Sequence, residues 1–261
     1  MQKFPPERIV CLSGETIETI YLLGEEKRIV GVTGFASRPK IVRIEKARVS
    51  SFTEARTNEI LRLNPDLVFT FSDVQADLSR DLILAGLNVF CFNQRSVTGI
   101  FSMISMIGAI LNCTDKAINL QAEFMKKITF CKENKLNYQP KIYFEEWNEP
   151  MIAGIGWVSE IISIAGGIDI FADKASHPKS KDRTVFLDEV IEENPDIILA
   201  SWCGKKVDVE TIYNRKGWDA ITAIRNKKVF VLNASEILQP GPAALTDGLT
   251  SVRNIIVNCS N

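Results

Sequence analysis

Short apolar runs alternate along the chain with segments of helical spacing. RIVCL (8–12) has the length of a buried strand, and SGETIETIYLLG follows it with Ile17, Ile20 and Tyr21 on one helical face. Ser13 stands where an N-cap is needed and Gly24 where a helix stops. RIVGV (28–32) returns to a strand pattern, so the first segment predicts a βαβ unit. EILRLNPDLVFTFS (59–72) reads as a short helix, a proline stop and the strand LVFTF. A helix through 74–85 and the strand NVFCF (88–92) come next. Residues 97–137 are rich in helix formers. Ser102 to Leu111 is apolar, and from Asp115 to Leu136 the residues Ala117, Leu120, Phe124, Ile128 and Cys131 form an amphipathic stripe.

After Pro140 the pattern restarts. KIYFE (141–145) is a strand, Trp157 to Ala165 a helix stopped by Gly166-Gly167, KVFVL (228–232) a strand, and a last helix starts near Ala243. LNPDLVFTF (63–71) is echoed by ENPDIILAS (193–201), each reading helix end, Asn-Pro-Asp, apolar strand. Asn-Pro breaks a helix because the residue before proline avoids the α region. The recurrence predicts two similar α/β lobes: residues 1–112, a connecting helix at 113–138, and residues 139–261. Ligands of open α/β sheets bind beyond the carboxyl ends of the strands.

Composition sharpens this. Of 261 residues, 46% are hydrophobic and 24% charged, and 31 basic against 32 acidic side chains leave a net charge of −1. No basic stripe points to a nucleic acid, and no apolar run has the length of a membrane span. Prolines and charges at 5–8 interrupt any export-signal pattern, so the sequence as it stands predicts a cytoplasmic protein, or a periplasmic one if a leader precedes it. Cys11, Cys91, Cys113, Cys131, Cys203 and Cys259 form no C-x-x-C pair, which argues against a zinc site, and a reducing compartment is expected.

The strand-end loops hold Phe35, Arg38, Phe52, Phe71, Asp73, Gln94, Arg95, Trp147, Trp157, Trp202 and Gln239. Aromatic rings with scattered polar groups are the makeup of a small-molecule site. Catalytic signals are weak. Phosphate-cradling glycine motifs and a G-x-S-x-G elbow are absent. The single histidine, His177, reads as a solvated loop residue. Cys203 could be a nucleophile if Lys205 and Lys206 lowered its pKa. Glu145, Glu146 and Glu149 read as solvated surface charge, because strand alternation splits the adjacent pair.

Several pieces resemble a known family. RIVCLSGETIETIYLLGEEKRIVGVTGF, NPDLVFTF, AGLNVFCFNQRS, EEWNEPMIAGIGWVSEIISIAGGIDIF, NPDIILASWCGKK, GWDAITAIRNKKVFVL and QPGPAALTDGL run in the order found in helical-backbone substrate-binding proteins for cobalamin and iron chelates. The resemblance implies two Rossmann-like α/β lobes joined by one long helix, with a ligand cleft between them. It carries ligand-binding positions onto Ser13, Gly14, Glu15, Phe35, Phe52, Phe71, Trp147, Gly154, Trp157 and Trp202. It also places docking residues for an ABC transporter permease at Asp77 and Asp188, both one methylene shorter than the family's glutamates.

Together these readings predict a non-catalytic, monomeric binder of a corrinoid, neither integral to a membrane nor dependent on a catalytic cofactor or metal. Cobalamin is nearly neutral at its amide-edged periphery and suits aromatic walls. An anionic siderophore would want more arginine than Arg38 and Arg95, and haem would want an axial ligand. Another metal chelate, or an enzyme using Cys203, are the alternatives.

Overall fold

The computed structural model describes residues 4–50 and 57–260. The chain divides into two compact units. The first takes the residues up to Gln94 together with Thr98–Glu123, and the second takes Arg95–Val97 and everything from Phe124.

The first unit is built on β1 (Ile9–Cys11), β2 (Ile29–Thr33), β3 (Ala47–Ser50), β4 (Leu67–Phe71) and β5 (Val89–Phe92), in the order β3-β2-β1-β4-β5 and parallel throughout. Helices cover a parallel sheet on both faces, so its central strand needs no polar face. That is why RIVCL is a continuous apolar run, and Ile9, Val10 and Cys11 are wholly buried. The chain moves outward from β1 to β3, then crosses back to β4 and β5. This puts the topological switch point between β1 and β4. Helix α1 (Gly14–Leu22) follows β1, and α2 (Ala76–Leu84) follows β4 after one 3₁₀ turn. The 97–137 stretch forms two helices, α3 (Val97–Ile110) and α4 (Thr114–Glu133). They are separated where Asn112 takes a φ of 57°, a left-handed conformation that asparagine tolerates better than most residues. Helix α4 carries the chain from the first unit into the second.

The second unit has the sheet order β10-β9-β6-β7, with β8 pairing β6. Its strands are β6 (Lys141–Asn148), β7 (Met151–Ala153), β8 (Ile168–Asp169), β9 (Ile197–Ala200) and β10 (Val229–Val231). Helices α5 (Gly156–Ala165), α6 (Leu187–Glu193) and α7 (Leu249–Ser260) are its main covering elements. Tyr143, Val190, Ile198, Trp202, Ile212 and Trp218 meet in its core, where the Tyr143 and Trp218 rings pack edge-on with centroids 6.1 Å apart.

The Asn-Pro-Asp echo is a repeated clasp, one copy in each unit. Asn64 and Asn194 end their helices in the left-handed region, at φ 44° and 47°. Proline prevents continuation. The aspartate then grips the residue that opens the unit's central strand. Asp66 Oδ2 accepts the Arg8 N–H at 2.9 Å, and Asp196 Oδ2 accepts the Lys141 N–H at 2.8 Å. In return the aspartate N–H groups donate to the Arg8 and Lys141 carbonyls at 2.7 and 2.8 Å. A tripeptide with three distinct jobs recurs because each central strand must be started in the same way.

Among the described residues, no helix is long and apolar enough to cross a membrane. All six cysteines are free thiols.

Candidate functional site

In the first unit, Ser13, Gly14, Glu15 and Phe71 stand at the switch point between β1 and β4. Ser13 holds the N-cap position of α1 without a side-chain cap bond, its hydroxyl lying 3.1 Å from that of Thr16, while Gly14 opens the helix and Glu15 occupies its first turn directly beyond β1. Glu15 is only 3% exposed, and its Oε1 has no hydrogen-bond partner. Burial pushes its carboxyl up to about 7, with the Glu18 carboxylate adding to the rise and a backbone N–H and the Ser13 hydroxyl opposing it. A carboxyl at the head of a helix, out of water and incompletely bonded, carries an unmet hydrogen-bonding demand.

Beyond β4 stand Phe71, 8% exposed, and Ser72, whose φ of 58° with ψ of −177° belongs to a region that is almost exclusive to glycine. Gln75 braces this turn. Its Oε1 accepts the Phe71 N–H at 2.9 Å, and its Nε2 donates to the Leu12 carbonyl at 3.0 Å. One buried amide thus holds the carboxyl ends of β1 and β4 together at the switch point. Sequence reading missed Gln75 and Ser72, since nothing in the local pattern marks either. Phe35, after β2, is 53% exposed. Gln94 is buried, with its Nε2 3.1 Å from Met103 Sδ. Phe52 lies outside the described residues.

The second unit corrects the expectation for EEWNEPMIAG. The sequence reading ends this strand at Glu145 and places Trp147 in the loop beyond it. Strand β6 instead runs through to Asn148, turns at Glu149-Pro150 and returns as antiparallel β7, pairing Trp147 with Ile152. The adjacent glutamates are not solvated either. Glu145 is wholly buried and takes a bidentate grip from Arg215 at 2.5 and 3.0 Å. It also accepts the Trp202 indole N–H at 3.0 Å and the Tyr143 hydroxyl at 3.2 Å. Glu146 receives both terminal nitrogens of buried Arg183, at 2.7 and 2.9 Å. Alternation did split the two acids, but an arginine waits for each of them. Only Glu149 is exposed, and its carbonyl accepts the Trp147 indole N–H at 2.9 Å.

This framework sorts the tryptophans. Trp202 is 2% exposed and tied to Glu145. Trp157, in the first turn of α5, is buried and donates to the Ile237 carbonyl at 2.9 Å, which fastens the segment after β10. Trp147 keeps part of its ring open on the hairpin. Lys205, from the turn after β9, sets its ammonium 5.6 Å from the Trp147 ring centroid and 5.1 Å from that of Trp202, within cation–π range. Gly154 is buried against Phe144, where a Cβ would come within 3.3 Å of the ring. The Arg95 backbone lies against Gly156 in this unit. Gln239 is half-buried, and its carbonyl accepts the Gly241 N–H at 2.8 Å.

Asp77 and Asp188 stand exposed in the first turns of α2 and α6. Helix N-termini favour acids there in any case. His177 is exposed. Cys203 is not activated by its lysine neighbours: desolvation and the Glu146 carboxylate raise its thiol pKa, the reverse of what a nucleophile requires. Among the described residues, no group of three or more His, Cys, Asp or Glu side chains could hold a metal ion.

Known proteins agree with this architecture. The family profile described as "Periplasmic binding protein" matches residues 9–236. A vitamin B12-binding protein of Vibrio cholerae is 24% identical over 249 residues, covering 93% of this chain and 86% of that one. A possible iron-binding periplasmic solute-binding protein from Staphylococcus epidermidis superposes with a TM-score of 0.83 at 21% identity, covering 97% and 99% of the two chains. The periplasmic heme-binding protein of Roseiflexus in its apo form gives 0.82 at 21% identity, covering 98% and 99%.

Proposed function

The chain belongs to the periplasmic binding protein family, whose members bind ligands rather than transform them, and from that premise we propose that it binds a cobalamin-type corrinoid without catalysis. The observation that carries the choice of ligand is the internal neutralisation of three arginines. Arg215 is spent on Glu145, Arg183 on Glu146, and Arg38 on Glu18 at 2.8 Å. An anionic siderophore needs several free cations, whereas the amide-edged corrin ring needs aromatic surface and hydrogen-bonding groups. Trp147 keeps part of its ring open in the second unit, and Phe35 is exposed in the first, each an aromatic surface of that kind. Haem fits less well. Of the four tyrosines, Tyr21, Tyr138 and Tyr143 donate their hydroxyls to Glu45, Asp196 and Glu145 instead of presenting them to iron. Delivery to an ABC permease through Asp77 and Asp188 belongs to the same reading.

Titration with cobalamin, haemin and a ferric hydroxamate, followed by tryptophan fluorescence and melting temperature, tests the assignment. Quenching and a raised melting temperature with cobalamin alone are expected. A response to haemin or the hydroxamate alone would assign the protein to that chelate instead. Fractionation of the native cells, with the mature N-terminus read by mass spectrometry, separates a cytoplasmic carrier from a permease-coupled periplasmic receptor.

A further inference from the structure

We propose that Lys205 is the specificity residue of the second unit's ligand wall, selecting metal chelates that carry an anionic group beside an apolar face. This deepens the chelate-binding reading and rests on it. The Lys205 ammonium is held by the Trp147 and Trp202 rings and by Asn148 Oδ1 at 3.4 Å. All three contacts orient the charge, and none cancels it. Lys205 has no carboxylate partner among the described residues, whereas Arg183, Arg215 and Lys174 each sit on one, the last on Glu189 at 2.9 Å.

Two rings and an amide oxygen cost the lysine much of its rotational freedom before any ligand arrives, so a charge-assisted bond made here loses little further entropy. Lys205 and Lys206 are both exposed, and among the described residues only Lys205 of the two has its ammonium over a ring. Lys206 carries the same charge without the same placement. The group Lys205 would read is a phosphodiester or carboxylate adjoining the face that stacks on Trp147. Among corrinoids, that describes cobalamin with its nucleotide loop and excludes cobinamide, which lacks the phosphate.

The test compares wild type, Lys205→Met, Lys205→Arg and Lys206→Met, each binding cobalamin and dicyanocobinamide at low and high salt. Wild type should prefer cobalamin. Lys205→Met should lose about tenfold in cobalamin affinity, with little change for cobinamide and a weaker salt dependence. Lys205→Arg should recover most of the loss, and Lys206→Met should behave as wild type. An unchanged cobalamin-to-cobinamide ratio in Lys205→Met would overturn the proposal while leaving the corrinoid reading intact. If neither corrinoid binds, that reading fails, and the same variants are measured with haemin, a dicarboxylate, against a neutral ferric trihydroxamate. Loss confined to haemin supports Lys205 as the selector. Equal affinities, or no binding of any chelate, reject it.

Discussion

Glu15→Gln should change how stability depends on pH. Glu15 is buried at the start of α1, and its carboxyl pKa is raised from 4.5 to about 7, chiefly by desolvation. A folded-state pKa above the unfolded one means that the native protein holds the proton more tightly. The carboxyl is therefore accommodated at low pH, and stability falls as pH rises from 4.5 through 7. At 1.36 kcal/mol per pH unit, the cost of an ionised Glu15 reaches about 3 kcal/mol well above pH 7. Glutamine keeps the shape and cannot ionise, but its amide brings its own cost of ~1 kcal/mol if poorly bonded. That cost does not vary with pH. The informative quantity is thus the stability gained by the variant at pH 8 minus that gained at pH 5, which should be about 2–3 kcal/mol. Urea unfolding at both pH values measures it and cancels the other titrating groups, Asp169 among them, whose pKa burial also raises. A difference below about 0.5 kcal/mol would refute the claim that this carboxyl is held out of water.

Trp147→Ala should weaken corrinoid binding by about 1–3 kcal/mol in a fluorescence or calorimetric titration. Trp202→Ala should instead cost about 3–5 kcal/mol of fold stability, because that ring is core. Glu145→Ala leaves Arg215 and the Trp202 N–H buried without their acceptor and should destabilise by about 3–5 kcal/mol in urea; a loss under about 1 kcal/mol would mean that water replaces the carboxylate. Gly156→Ala puts a Cβ 2.5 Å from the Arg95 carbonyl oxygen and should cost about 1–3 kcal/mol, read as a lowered melting temperature.

The elements that could be read from sequence were those whose causes are local. RIVCL and LVFTF announce buried parallel strands because both faces are covered, and Gly166, at φ 98°, stops α5 where a left-handed residue is required. Asn-Pro-Asp was legible because each of its residues acts on its own neighbourhood. The β6–β7 hairpin was not legible. Its turn lacks the usual glycine or Asn-Gly signal, and the acids that should have marked solvent are neutralised by Arg183 and Arg215, 37 and 70 residues downstream of their partners. Long-range pairing reverses the meaning of a charge without leaving a local trace. The same holds for Gln75, an ordinary helix-start glutamine until β1 and β4 are side by side, and for Cys203, whose lysines are close in sequence while desolvation and the Glu146 carboxylate raise its thiol pKa.

Two successive glutamates, each clamped by an arginine from a different part of the chain, fasten one strand from both sides immediately before Trp147. The ring is therefore a fixed fixture, set when the unit folds. On the proposed reading, a ligand stacking there would meet a surface that has already lost its freedom, so differences among ligands would fall mainly on how slowly each one leaves. If that reading holds, the enthalpy and entropy of capture should report on the guest and its released water, with little contribution from ordering of the host.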